Sequence, residues 1–135
     1  MEVIWNGKET AAIDDLVAGD FRYQEAGNMP LVLGARGIAS LTGYRRHSFP
    51  DLTYTIDEIV AEGDRAAVRW TATGTHQGAY GLAAPTGRQV SWSGISLFQI
   101  IDGKVSEVWV SEDWKGVERQ LGIDSQTTWG PAYYR

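Results

Sequence analysis

The sequence predicts an α+β fold in a single domain that comprises residues 1–135. Helical patterns fill the first third of the chain, and long strand patterns follow them. Three of these strands span about ten residues, which exceeds the usual strand length. Because a sheet of long strands twists and curls, we expect a mostly antiparallel, strongly curved sheet with helices on its concave face.

The early elements are predicted from spacing. Residues 9–17 predict a helix because Ile13, Leu16 and Val17 recur at helical intervals. Residues 21–25 predict a short strand, and residues 36–47 predict a second helix with Ile38, Leu41 and Arg45 along one face.

The sheet comes from the rest of the chain. Alternating patterns predict strands over residues 52–61, 66–76, 89–101 and 105–113. Asp102-Gly103 predicts a hairpin turn between the last two strands. Residues 114–121 predict a final helix that ends at Gly122, and an aromatic tail occupies residues 124–135.

Composition narrows the function. The chain has 12 basic and 17 acidic residues, a net charge of -5, which disfavours nucleic acid. No apolar run approaches the ~18 residues that span a bilayer, so we expect a cytoplasmic protein without membrane contact. The absence of cysteine excludes disulfides and thiolate chemistry. Six Trp and six Tyr residues favour the walls of a small-molecule pocket.

Several segments in the second part of the chain occur in a characteristic order: Phe49-Pro50-Asp51-Leu52, Gly74-Thr75-His76-Gln77-Gly78, Pro85-Thr86-Gly87-Arg88 and Gln120-Leu121-Gly122. In this order they resemble the SnoaL-like polyketide cyclase (ester cyclase) family of the NTF2-like superfamily. The resemblance implies an NTF2-like cone, a homodimer formed through the sheet and chemistry without a cofactor. Relative to the family, the first helix is shortened and the loop over residues 79–84 differs.

The family's cyclases close a ring by intramolecular aldol addition on a polyketide ester, and the resemblance assigns the base to Asp113. By alternation Asp113 shares a face with Glu107 and Trp109. If that face lines the cavity, burial raises the pKa of the carboxyl and suits it to act as a base. Alternatively, Asp113 caps the helix that follows it. Glu112 falls on the opposite face, where we expect solvent or a dimer contact.

The other candidates surround the same predicted cavity. His76 could shuttle a proton or donate to an enolate oxygen, or simply bond the loop backbone at Gly78. The predicted ligand-binding set comprises Trp70, Trp92, Trp109, Tyr54 and Tyr44. The two histidines lie too far apart for a metal motif, so no metal is expected.

The sequence thus predicts a cofactor-independent acid–base enzyme that acts on a hydrophobic carbonyl compound. A non-catalytic module for small-molecule binding or dimerisation is the alternative. Isomerisation, dehydration and epoxide opening rank lower, and no convincing Asp–Arg–Asp set supports epoxide opening.

Overall fold

The elements follow the predicted order. The computed structural model describes residues 17–25, 32–81 and 83–123. Its strands are β1 (Val17–Glu25), β2 (Val32–Leu33), β3 (Thr53–Glu62), β4 (Arg65–Thr75), β5 (Gln89–Ile101) and β6 (Lys104–Glu112). Two helices lie in the described part, α1 (Gly34–Ser48) and α2 (Trp114–Leu121). The helix predicted over residues 9–17 and the tail lie outside the described residues, except Val17, which begins β1.

All six strands join one sheet in the order β2-β1-β6-β5-β4-β3. Strands β3 to β6 pair antiparallel with their neighbours in sequence, whereas β1 pairs parallel with β6. The hairpin at Asp102-Gly103 is present, with φ values of 53° and 76° at these two residues. Positive φ at both positions suits the tight turn that matches strand twist. The result is the expected α+β fold with a mostly antiparallel sheet.

One face of the sheet, the inner face, holds the core. On β4 and β5 its side chains alternate with exposed ones, so that Trp70, Trp92 and Phe98 are buried. Helix α1 contacts β1, and α2 contacts β5. Burial of this apolar surface is the main stabilising contribution to the fold. No helix in the described ranges is long and apolar enough to cross a membrane.

Candidate active site

A bulge in β6 decides which side chains enter the interior. Ile100 pairs with Val105, but Gln99 pairs with Glu107, so Ser106 is an extra residue in the ladder. A bulge of this kind shifts the side-chain alternation by one position. Glu112 therefore joins the inner face, and Trp109 lies on the outer face.

Asp113 does not enter the interior, which corrects the expectation that its face lines a cavity. Its side chain is exposed, and its Oδ1 accepts a hydrogen bond of 2.9 Å from the backbone N–H of Gly116. It is the N-cap of α2, so the capping alternative describes its position. It also borders a groove of about 350 Å³ on the outer face, together with Arg69 and Ile95.

The carboxylate that enters the interior is that of Glu112, which meets Arg45 of α1. Oε2 accepts from Nη2 of Arg45 at 2.7 Å, and Oε1 lies 3.4 Å from Nη1. Glu25, at the end of β1, brings Oε2 to 3.6 Å from Nη2 of the same guanidinium. These side chains are 0 to 4% exposed. We call Glu25, Arg45 and Glu112 the acid–arginine cluster.

Phenol and indole groups complete the polar contacts of this cluster. Arg45 donates to the hydroxyl of Tyr54 at 2.9 Å and to that of Tyr23 at 3.1 Å. The indole N–H of Trp92 donates to Glu112 at 3.0 Å, and that of Trp114 donates to Glu25 at 2.7 Å. Each carboxyl group thus has one indole donor. Charge-assisted bonds of this kind lower the cost of burying the ions.

Burial sets the protonation of the cluster. Desolvation, followed by the neighbouring Glu112, raises the pKa of Glu25 to about 9. Burial opposes the charge on Arg45, but the Glu112 carboxylate overcomes this and keeps the pKa of Arg45 above its usual value. Burial also raises the pKa of Tyr54 to about 12. At neutral pH Glu25 therefore keeps its proton, and Arg45, beside Glu112, keeps its positive charge.

Four aromatic rings lie beside the acid–arginine cluster. Phe49, Trp92, Trp114 and Tyr80 form a closed cycle, the aromatic cluster, with ring centroids 5.3 to 6.0 Å apart between neighbours. These separations are favourable for tilted and edge-on ring pairs. The guanidinium carbon of Arg45 lies 5.1 Å from the centroid of the Trp114 ring. The polar cluster therefore rests directly on an apolar surface.

His76 lies on the other side of the aromatic cluster. Its ring centroid is 5.8 Å from that of Phe49 and 6.2 Å from that of Tyr80. The residue is fully buried, and this burial lowers its pKa, with a weaker opposing effect from the backbone of Gly78. Its Nδ1 hydrogen-bonds with Thr86. The ring is therefore neutral at physiological pH.

The remaining predicted ligand residues are dispersed. Trp70 donates its indole N–H to Ser96 at 2.9 Å, and its ring occupies the space where a Cβ on Gly94 would lie, so it packs in the core. Trp109 is 45% exposed and donates to Glu107 on the outer face, on the opposite side of the sheet from Trp70 and Trp92. Tyr44 is 39% exposed and accepts from the N–H of Gly81. Of the predicted ligand set, Tyr54 and Trp92 contact the acid–arginine cluster.

The acid–arginine cluster was missed in the sequence, although a signal was present. Each of its members continues an apolar pattern: Glu25 is in phase with Phe21 and Tyr23, and Glu112 with Val108 and Val110. Arg45 continues the buried face of α1 that carries Ile38 and Leu41. An ionisable residue in phase with buried neighbours is costly unless it is paired, and so indicates a site.

A mostly antiparallel sheet with helices packed against it defines an α+β fold of the NTF2-like class. The chain belongs to the SnoaL-like polyketide cyclase family, whose model matches residues 1–121. A search of the curated proteins finds no match.

Solved structures agree with this assignment. AclR from Streptomyces galilaeus, a proposed hydroxylase, is 32% identical, with a TM-score of 0.77 over 90% of this chain and 76% of AclR. IdmH from Streptomyces antibioticus, a proposed polyketide cyclase, is 28% identical, with a TM-score of 0.76 over 90% of this chain and 92% of IdmH. A protein from Catenulispora acidiphila with a ketosteroid isomerase-like fold is 16% identical, with a TM-score of 0.78 over 93% of this chain and 91% of that protein's chain. This last likeness shows the fold alone.

Proposed function

We propose that the protein is a cofactor-independent acid–base enzyme that acts on a hydrophobic carbonyl compound of the polyketide type. The observation that carries this proposal is the buried pair of Glu25 and Glu112 at one guanidinium, that of Arg45, where burial raises the pKa of Glu25. The family and the cyclase name of IdmH support a ring-closing reaction. Two carboxyl groups whose environments separate their protonation states are suited to act as acid and base.

In an intramolecular aldol addition the pair would act as a unit. The Glu112 carboxylate takes a proton from the carbon next to one carbonyl, and that carbon forms a bond with a second carbonyl carbon. The second carbonyl oxygen takes the proton of Glu25. The proton on Glu112 then passes to Glu25, which restores the starting state. The negative charge passes from the pair to the enolate and alkoxide oxygens of the substrate and then returns to the pair. Arg45 stabilises it at each stage when the reacting oxygen lies beside the guanidinium.

Substitution of Glu25 by Gln tests this proposal. We expect kcat for cyclisation of an aromatic polyketide ester, followed by absorbance, to fall about 10²- to 10⁴-fold, because the amide cannot transfer the proton. Substrate affinity, measured by quenching of tryptophan fluorescence, should change little. Asp113→Asn is the matched control, and its kcat should stay close to that of the wild type because Asp113 caps α2 on the outer face. The reverse pattern would return the base to Asp113, and binding without turnover in the wild type would favour the non-catalytic module.

A second reaction, the opening of an epoxide by water, is favoured by the same cluster. Glu25, Arg45 and Glu112 form the acid–arginine–acid set that the sequence did not reveal. Glu112 would take a proton from water while Glu25 protonates the epoxide oxygen, so the product gains a hydroxyl group. The name of AclR, a proposed hydroxylase, points to the same type of product. Turnover in H₂¹⁸O separates the two reactions, because only epoxide opening places ¹⁸O in a new alcohol.

We also propose a homodimer formed through the outer face. Ile95, Leu97 and Trp109 are 38 to 53% exposed there and line a groove of about 360 Å³. These apolar side chains lie next to one another on one face of the sheet, and a two-fold axis would pair this surface with itself. Analytical ultracentrifugation should give twice the chain mass for the wild type and the monomer mass for Leu97→Glu. A monomeric wild type at micromolar concentration would contradict this proposal.

A further inference from the structure

Thr86 contacts the imidazole of His76 through two of its own groups. Its backbone N–H donates to Nδ1 at 3.1 Å, and its Oγ1 lies 2.9 Å from the same nitrogen. Oγ1 also accepts from the backbone N–H of Arg88 at 3.2 Å, which leaves its own proton free to point at Nδ1. The backbone between β4 and β5 holds this geometry, because the N–H of His76 donates to the carbonyl of Arg88 at 2.9 Å and the carbonyl of His76 accepts from the N–H of Gly87 at 2.8 Å.

These contacts fix the tautomer of His76. A backbone N–H can only donate, so Nδ1 must be an acceptor and carries no proton. A neutral imidazole has one proton, which therefore lies on Nε2. His76 can donate through Nε2 but cannot take a proton there. Of the two chemical roles that the sequence leaves open for His76, proton shuttle and hydrogen-bond donor, this tautomer supports the role of donor.

The Nε2–H group lacks a partner. Nε2 is buried and makes no hydrogen bond within the described residues, although the ring is fully enclosed. A backbone hydrogen-bond contact of Gly78 opposes the effect of burial on the pKa of the ring, but Nε2 itself meets no acceptor at hydrogen-bond distance and angle within the described residues. A buried donor without an acceptor is costly and rare. The His76 ring packs against Phe49 and Tyr80, two members of the aromatic cluster. Arg45 lies against Trp114, another member of the same cluster.

We propose that Thr86 is a positioning residue that holds His76 as an Nε2–H donor to an acceptor oxygen of the ligand. The inference rests on the proposed function and adds to its substrate class. The ligand carries two oxygen functions on a flat apolar frame, one at the acid–arginine cluster and one at His76, with the aromatic cluster between them. A carbonyl or phenol oxygen meets this requirement, whereas an ammonium group does not.

The tautomer can be read without any assay of activity. Long-range ¹H–¹⁵N spectra of the ¹⁵N-labelled protein at pH 7.5 should show His76 protonated at Nε2 and not at Nδ1. Thr86→Val should keep the Nε2–H form, because its backbone N–H still donates to Nδ1, but loss of the Oγ1 contact should shift the Nδ1 resonance, and Thr86→Ser should restore the wild-type shift. An Nδ1–H signal in the wild type would overturn the inference, whatever reaction the protein catalyses. Urea unfolding of both variants reports whether either has lost its fold.

Donation to a ligand is tested with 1-hydroxy-9,10-anthraquinone, a flat probe with carbonyl and phenol oxygens. The Nε2 proton of His76 should move downfield on saturation, and Thr86→Val should weaken binding about three- to tenfold, as expected for one hydrogen bond. Thr86→Ser should bind as the wild type does. A bound probe that leaves the Nε2 proton unmoved would overturn the donor role. A probe that does not bind contradicts the proposed substrate class, while the tautomer spectrum still decides the role of Thr86.

Discussion

Substitution of Arg45 by Met is expected to lower the free energy of unfolding by about 3–5 kcal/mol. The side chain is 4% exposed and contacts the Glu112 carboxylate at 2.7 Å. Removing it leaves that carboxylate buried without its cation, and it also takes a donor from the hydroxyls of Tyr23 and Tyr54. Met has a similar volume, so the loss reflects charge rather than a cavity.

Urea unfolding followed by tryptophan fluorescence measures this change. The control is Arg69→Met, because Arg69 is 54% exposed and its pairs with Asp57 and Glu58 lie on the surface, where such pairs contribute about 0 to 1 kcal/mol. The double variant Arg45→Met, Glu112→Gln should recover part of the loss, since it removes the stranded charge. A loss no larger than that of Arg69→Met would show that Glu112 does not need Arg45.

The stability of the protein is expected to fall as pH rises from about 5 to 9. In the unfolded chain Glu25 ionises near its ordinary pKa of 4.5, whereas burial keeps it protonated in the folded protein up to about pH 9. Between these values the folded state binds one more proton than the unfolded state. The free energy of unfolding therefore decreases with pH, at a limit of about 1.4 kcal/mol per unit for one proton.

Glu25→Gln isolates this contribution because the amide imitates the protonated acid at every pH. The free energy of unfolding of Glu25→Gln should not fall with pH in this way. The difference in stability between this variant and the wild type should therefore grow from pH 5 to pH 9. Glu62→Gln, an exposed carboxyl at the end of β3, should parallel the wild type. If Glu25→Gln also parallels the wild type, Glu25 is already ionised in the folded protein and the proton-sharing pair does not exist.

Most of the fold could be predicted because its signals are local. The strand predicted over residues 89–101 matches β5, and the predicted helix over residues 114–121 matches α2. Alternation in β4 and the turn residues Asp102-Gly103 depend on near neighbours in sequence, which pattern reading can see. The predicted strand over residues 21–25 was too short, since β1 begins at Val17.

The site was predicted less well because it depends on one irregular position. A regular hairpin through Asp102-Gly103 would pair Phe98 with Glu107 and send Asp113 inward. The extra residue Ser106 instead pairs Phe98 with Val108 and sends Glu112 inward. The apolar residues of β6 change phase between Val105 and Val108, but a regular hairpin leaves this change out of account, so Trp109 and Asp113 were assigned to the wrong face of the sheet. Tertiary packing alone reveals that Glu25 and Arg45 meet Glu112.

The parallel pairing of β1 with β6 also bears on how the protein is made. Strands β3 to β6 form successive hairpins and can pair as each one leaves the ribosome, whereas β1 must wait for the last strand. Trp114 and Glu25 are 89 residues apart in sequence, and Arg45 and Glu112 are 67 apart. Strands β1 and β6, the first and last of the described strands in sequence, carry Glu25 and Glu112 respectively. A chain interrupted before β6 therefore holds Glu25 and Arg45 without the second acid, and the complete cluster is a property of the finished chain only.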